Sequence, residues 1–388
     1  MSIIPIGVGR AARAERAGAG TETARRAPSS FYLLMTVLVI LNLTGVVMVL
    51  SASSVLSISQ FGNPWYYFER QLLWLGLGTV AFLVALKVDR RAWRRLAKVG
   101  IVVAFLLLLA VLVPHVGKSA GGASRWLGTS SFEIQPSELS KLLFIFFAAD
   151  VLERRADRAQ AGQWRYQMGP VLVAFLGLVV LVMAQPDMGT SMVIALIAVA
   201  MLYTAGIPKR PLVGLIAAAV AGCAVMAVAA PYRWQRLTSF IDPLRHASDT
   251  GYQSVQGIAA IYSGHLAGQG LGNTVAATGY LPNAQTDYIF AIIGQETGMI
   301  GTILVAAVFL GLGLIGVRIA CGAKDRFSGL VAAGITAWLV GQALVNIGAV
   351  IGLLPVVGVP LPFVSFGGSS LMIALFGAGL LGNIARRP

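Results

Sequence analysis

Ten apolar stretches, each close to the length that crosses a bilayer, recur along this chain and decide its class. Their approximate cores are residues 31–51, 71–88, 99–116, 137–152, 169–185, 189–206, 211–230, 288–317, 328–351 and 365–384. A helix of about 20 apolar residues spans roughly 30 Å of hydrocarbon. With 57% hydrophobic and only 11% charged residues, the composition excludes a soluble domain. The reading is an all-α polytopic integral membrane protein with ten transmembrane helices over residues 30–385. The fourth and fifth runs are short or flanked by polar groups. Residues 1–29, rich in Ala, Gly, Arg and Thr without an apolar period, read as a disordered basic tail. Arg25 and Arg26 before the first run, with Ser51-Ala52-Ser53 after it, resemble a signal peptide and its cleavage site. The run exceeds the 7–15 residues of such a core, so an uncleaved first span is preferred.

The net charge of +14 suggests nucleic acid, but its distribution does not. With the N-terminus in the cytoplasm, twenty-two of the 29 Lys and Arg residues fall on inner segments. Six fall outside (Arg70, Lys118, Arg125, Arg233, Arg236, Arg245), and Lys141 lies within the fourth span. That is the positive-inside bias, and it places both termini in the cytoplasm. The basic excess is topology and contact with membrane lipids, with no nucleic acid implied. Cys223 lies in a span and Cys321 at the inner face, so no disulfide framework follows.

The chemistry therefore gathers outside, on residues 117–136, on a large loop at 231–287 between the seventh and eighth spans, and on the uncharged segment 352–364. Arg125 and Trp126 suit the headgroup zone as anchors. Gln135, Pro136, Ser137 and Glu138 open a helix, with Ser137 as cap and Glu138 in the first turn. Glu138 and Lys141 share a helix face and can pair. Two readings stay open: a self-satisfied internal ion pair, or an outward cavity lined by Arg125, Glu138 and Lys141 that suits a pyrophosphate or an anionic sugar. Gln185-Pro186-Asp187 reads as a turn with Asp187 capping the next helix. Tyr232, Arg233, Trp234 and Arg236 form a basic-aromatic cluster suited to anchoring at the interface. The glycine-rich stretch from Gly264 to Asn273 matches no phosphate-loop pattern and reads as a flexible or closely packed loop. His246 and His265 are too scattered for a zinc site.

Asp287 follows Gln285 and Thr286 where the polar loop meets an apolar helix. Thr286 or Asp287 as a plain N-cap, and Asp287 as a general base with a tunable pKa, weigh about equally. Glu296 lies about two and a half turns further on and needs a partner, with Arg125 and Lys141 as candidates. The last outward segment, with Pro355, Pro360 and Pro362, reads as re-entrant, tolerated only where protein or water covers its backbone. Ser365, Gly367, Gly368, Ser369 and Ser370 after it either pack helices closely or present N–H groups to an anionic substrate.

Taken in order, GASRW (122–126), QPSELSK (135–141), QPDMGT (185–190), GQGLGN (268–273), LPNAQTDYIFAIIGQETG (281–298) and NIGAVIGLLPVVGVPLPFVSFGGSS (346–370) resemble one family. It is the SEDS proteins (shape, elongation, division and sporulation), polytopic peptidoglycan glycosyltransferases, and the resemblance covers residues 31–384. The stretches SAS, GASRW, AIIGQETG and GGSS look more like its division-type branch than its elongation-type branch. The resemblance implies ten spans, an outward-facing cavity and polymerisation of lipid II on the outer face of the bacterial cytoplasmic membrane, with septal localisation for the division type. It implies Asp287 as the essential acid and importance for Arg125, Glu138 and Lys141. Trp126, Gln135, Ser137, Gln285, Thr286, Glu296, Ser365, Gly367, Gly368, Ser369 and Ser370 are carried with them as substrate-binding candidates. A class B penicillin-binding protein is the implied transpeptidase partner, among other divisome membrane proteins. No organic cofactor is expected, and a divalent cation, Mg or Mn, is a candidate for neutralising the leaving pyrophosphate. Two departures stand out: NTVAATGYLP after Gly272 lacks the family's basic residue and Trp, and His265 replaces a common Gly. A lipid II flippase and a recruiting scaffold share this architecture. A transport path needs polar residues on the inner side too, whereas those here gather outside.

The Lys/Arg asymmetry generates a topology prediction. Single cysteines at Ser130, Ser248 and Asn283 should react with an impermeant thiol reagent in cells whose outer barriers are opened, and those at Ala92, Ala161 and Ala323 should not. The reverse labelling pattern would invert the orientation.

Overall fold

A computed structural model describes residues 29–120, 123–128, 132–157, 163–228, 231–249, 251–273 and 281–386. The expected tail, up to residue 28, and the atypical stretch at 274–280 lie outside the described residues. The helices are α1 (Ser29–Phe61), α2 (Tyr66–Lys87), α3 (Arg90–Leu112), α4 (Pro136–Arg154), α5 (Trp164–Ala184) and α6 (Met188–Thr204). They continue with α7 (Lys209–Val228), α8 (Pro231–Ile241), α9 (Tyr252–Ser263), α10 (Ile289–Cys321), α11 (Arg326–Val350) and α12 (Ser369–Arg386).

Among the described residues, seven helices are long and apolar enough to cross a membrane: α1, α2, α3, α5, α10, α11 and α12. The other three expected spans fall on α4, α6 and α7. Helix α4 carries Glu138, Lys141, Asp150, Glu153 and Arg154, α6 has only 17 residues, and α7 opens on Lys209 and Arg210. Large apolar side chains stand in the open on the outer helices, among them Val173, Val180 and Leu310, as lipid contact requires. Helices α4, α11 and α12 fill the middle, with most of their residues buried. Helix α2 packs on α12, α3 on α4, and both α6 and α10 on α11. Near the end of α12, buried Asn383 donates from Nδ2 to the carbonyls of Ala85 (3.0 Å), Leu86 (2.9 Å) and Val88 (2.9 Å), closing the last turn of α2.

Two outer segments depart from a simple helix-and-loop fold. Residues 118–134 form a small antiparallel sheet, β1 (Lys118–Ala120), β2 (Ala123–Gly128) and β3 (Glu133–Ile134), in that order. Lys118 stands opposite Trp126, and Leu127 opposite Ile134. The expected 231–287 loop contains the helices α8 and α9, and α9 packs on α10.

Helix α10 is broken at Gly298, whose φ of 69° and ψ of −166° belong to a region essentially reserved for glycine. The N–H groups of Met299 and Ile300 leave the helical ladder there. They donate to the carbonyls of His265 (2.9 Å) and Leu266 (3.3 Å). In return, Gln269 and Gly270 donate to the carbonyls of Gln295 (3.0 Å) and Glu296 (3.1 Å). The glycine-rich loop is thus closely packed against the break, as one of its two sequence readings has it.

A Cβ on Gly298 would also run into the Leu266 carbonyl, whereas one on Gly311 meets nothing within 4 Å. Gly298→Ala should therefore lower the melting temperature by the equivalent of about 1–3 kcal/mol. Gly311→Ala should leave it level or slightly raised. Equal melting of the two variants would contradict the break.

Candidate active site

The sequence motifs meet around the uncharged segment that joins α11 to α12. Pro355, Pro360 and Pro362 lack backbone donors, and Phe363 has a φ of 66°, so this stretch cannot run as a regular helix or strand. It is nonetheless buried from Leu361 to Ser365. Carbonyls in such a place need donors, and α11 supplies them. Gln342 donates from Nε2 to the Pro360 carbonyl (3.0 Å), and Asn346 donates from Nδ2 to the Val359 carbonyl (2.7 Å). The Ser365 hydroxyl accepts from the Leu361 N–H (2.8 Å).

Asp287 lies against this segment. It sits, partly buried, in the turn that leads into α10. Neither Thr286 nor Asp287 caps that helix: the N-cap position is Tyr288, without a side-chain cap. The Thr286 hydroxyl donates instead to the Asn283 carbonyl (3.1 Å). The turn is held from outside, by the Phe366 N–H on the Gln285 carbonyl (2.9 Å) and by Asn346 Nδ2 on the Asp287 carbonyl (2.7 Å). Asp287 Oδ2 lies 3.5 Å from where a Cβ would stand on Gly358, an ordinary contact distance, so the carboxylate sits directly against this segment, and the φ of 68° at Gly358 is what calls for glycine there.

Helix α4 brings the charged pair beneath. Lys141 Nζ donates to Glu138 Oε1 (2.7 Å) and to Gln342 Oε1 (2.6 Å), and lies 5.2 Å from the Trp338 ring centre. Lys141 has no exposed surface, and Glu138 2%. Glu138 alone of the pair borders a small space of about 10 Å³, shared with Gln342, Pro360, Ser365 and Ser370, which is room for about one water. The cap of α4 is also displaced from the expected one. Pro136 takes the first helical position and Gln135 the N-cap, so Ser137 falls inside the helix. Its hydroxyl is buried with no partner among the described residues. The Gln135 N–H donates to the Ser369 hydroxyl (3.1 Å), joining the starts of α4 and α12. Ser370 donates to the Gly367 carbonyl (3.0 Å), and Gly368 packs on the Trp74 indole.

Arg125 does not line a cavity with this pair. From β2 it donates to the carbonyls of Gln185 (3.2 Å) and Pro186, gripping the turn between α5 and α6. Asp187 caps α6 as expected, accepting from the Thr190 N–H (3.0 Å) and hydroxyl (2.8 Å). Trp126 follows Arg125 on β2, half-buried. Glu296 pairs with neither Arg125 nor Lys141. Its Oε1 accepts from the Ser51 hydroxyl and from the Gly272 N–H (3.4 Å), tying α1 to the glycine-rich loop. Gln342 and Asn346 are the residues that sequence reasoning missed. Two buried amides one turn apart in an apolar helix were the available signal.

This arrangement, an acid set against an irregular segment that is buried among long apolar helices, marks a multi-pass membrane protein. The model of the FTSW_RODA_SPOVE family, described as cell cycle protein, matches residues 31–388, and the chain belongs to that family. It is 40% identical over 362 residues to the probable peptidoglycan glycosyltransferase FtsW of Mycobacterium tuberculosis H37Rv, covering 93% of this chain and 68% of that one. It is 38% identical over 357 residues to stage V sporulation protein E of Bacillus subtilis 168, covering 91% and 96%. A chain from a structure describing coordination of polymerization and crosslinking by a peptidoglycan synthase complex superposes with a TM-score of 0.74. It is 25% identical, covering 93% of this chain and 98% of that one. A mutant of the Thermus thermophilus rod shape determining protein RodA gives a TM-score of 0.66 at 25% identity, again covering 93% and 98%.

The ion pair carries its own prediction. Lys141→Met leaves Glu138 buried and uncompensated, which should cost about 3–5 kcal/mol and deplete folded protein from the membrane. Glu138→Gln combined with Lys141→Met should recover accumulation, as read by fluorescence-detected size exclusion. Failure of the double variant to recover would mean that the charge itself is needed for folding.

Proposed function

We propose that this chain is a peptidoglycan glycosyltransferase of the division type, polymerising lipid II on the outer face of the cytoplasmic membrane. The observation that carries the reading is Asp287, a partly buried acid at the mouth of an apolar bundle, its carboxylate set against an uncharged segment at Gly358. Seven described helices long and apolar enough to cross a membrane support it. In this reading α4, α6 and α7 cross as well, the even number puts both ends on one side, and the Lys/Arg asymmetry makes that side the cytoplasm.

In this reading Asp287 takes the proton of the acceptor sugar's 4-hydroxyl. The oxygen attacks the anomeric carbon of the donor N-acetylmuramic acid, the bond to pyrophosphate breaks, and undecaprenyl pyrophosphate leaves with inversion. The proton then passes from Asp287 to solvent. A carboxylate held within reach of the acceptor hydroxyl is suited to this work as a general base. Lys141, fully enclosed and paired, is not positioned to meet the pyrophosphate directly. Arg125, half-buried on the central strand β2, keeps exposed surface and is the more accessible basic candidate. Among the described residues no three His, Cys, Asp or Glu side chains gather as a metal cage. A divalent cation, Mg or Mn, is the candidate for neutralising the leaving pyrophosphate, and no step here depends on one. The proposed setting is the division septum, with a class B penicillin-binding protein as transpeptidase partner and other divisome membrane proteins around it.

Asp287→Asn should abolish glycan formation from labelled lipid II by the purified protein with its partner, while leaving accumulation and melting unchanged. Long glycan strands on the gel from a stably folded Asp287→Asn protein would remove the base assignment.

A further inference from the structure

We propose that Asn346 is a positioning residue for Asp287, and that the Glu138–Lys141 pair reaches the reaction only through the neighbouring amide of Gln342. This inference rests on the reading of Asp287 as the base.

The turn that carries Asp287 is closed locally by the N–H groups of Thr286 (3.1 Å) and Tyr288 (3.3 Å) on the Asn283 carbonyl, and it is tied to the rest of the bundle by longer-range bonds. The side chain of Tyr288 does not cap the following helix, and bonds from the Phe366 N–H and from Asn346 fix the turn against the bundle. Asn346 provides the central one. Both of its Nδ2 bonds are 2.7 Å long, one to the Asp287 carbonyl and one to the Val359 carbonyl. The side chain is 2% exposed, so water does not compete for either bond. One amide thus joins the backbone of the acid to the residue next to Gly358, the glycine that the acid's own carboxylate approaches. With two hydrogens spent on two carbonyls, the amide has a single orientation.

Gln342 repeats the device four residues earlier, on the same face of α11. Its Nε2 holds the Pro360 carbonyl (3.0 Å), the neighbour of the one held by Asn346. Its Oε1 accepts from Trp338 Nε1 (2.9 Å) and from Lys141 Nζ (2.6 Å). Lys141 is in turn fixed by Glu138. A continuous path of hydrogen bonds and backbone therefore runs from Glu138 through Lys141, Gln342, Pro360, Val359 and Asn346 to Asp287. Lys141 has no surface with which to touch a substrate. Its importance, on this account, is that it orients Gln342.

The test compares wild type, Asn346→Ala, Asn346→Ser and Asp287→Asn in the full chain with its partner, using labelled lipid II. Turnover, half-saturating lipid II and melting temperature are measured for each. A misplaced base should cost roughly 10- to 100-fold in turnover. The half-saturating concentration should stay at the wild-type value, because Asn346 faces backbone and not substrate. Wild-type turnover in a folded Asn346→Ala protein would overturn the proposal. A defect confined to half-saturation would also overturn it, by making Asn346 a substrate contact. Failure of both Asn346 variants to fold would do the same, by leaving Asn346 a purely structural role. The Asp287→Asn arm separates the two levels. If it is inactive while Asn346→Ala is normal, only the positioning role is lost. If it is active, the base assignment fails, whatever Asn346 does.

Discussion

The structure turns on one constraint: an irregular, proline-rich backbone segment lies buried among apolar helices, where each unsatisfied carbonyl costs several kcal/mol. Regular hydrogen bonding is closed to it, since Pro355, Pro360 and Pro362 offer no N–H. The solution is two side-chain amides on α11, Gln342 and Asn346, one turn apart, each taking one of two consecutive carbonyls. The other arrangements at the site follow from that. The Asp287 turn is attached to the same amide, the charged pair on α4 to the other, and the start of α12 to the start of α4. A site built on packed helices and shared donors is held more rigidly than one built on a free loop.

Charge is admitted to the interior only under escort. Lys141 has a carboxylate, an amide oxygen and an indole face around it, and Glu296 has a hydroxyl and a backbone N–H. A buried ion pair is weak evidence of stability, since apolar residues of similar size often do as well. Its value here is geometric: an ammonium that can point in one direction only fixes the amide that receives it. Arg125 serves a comparable end at the outer edge, where its guanidinium gathers two carbonyls of the α5–α6 turn.

Much of the fold was legible in the sequence because hydropathy is a local property and lipid enforces it over about 20 residues at a time. The i,i+3 spacing of Glu138 and Lys141 and the capping of α6 by Asp187 were legible for the same reason, since both partners lie within one turn. Contacts that cross the bundle were not. Ser51 meets Glu296 across 245 positions, and nothing near either residue names the other. Gln342 and Asn346 sit in an apolar helix whose only anomaly is that they are polar. Strands β1 and β3, with three and two residues, are too short to show an alternation, so the small sheet was missed. The cap of α4 was misplaced by two residues because Ser137 is the better cap by type, while Pro136 decides by geometry. The family resemblance supplied the role proposed for the acid, and the structure added what holds the acid in place.

The central claim is that bond formation happens on this chain. The most direct measurement uses proteoliposomes containing only this protein, its transpeptidase partner and lipid II labelled in both the sugar and the polyprenyl chain. The account predicts glycan strands with one polyprenyl pyrophosphate released per new glycosidic bond, and every new linkage inverted relative to the donor. Movement of intact lipid II between leaflets, with no polyprenyl pyrophosphate released, would contradict it and make the chain a transporter.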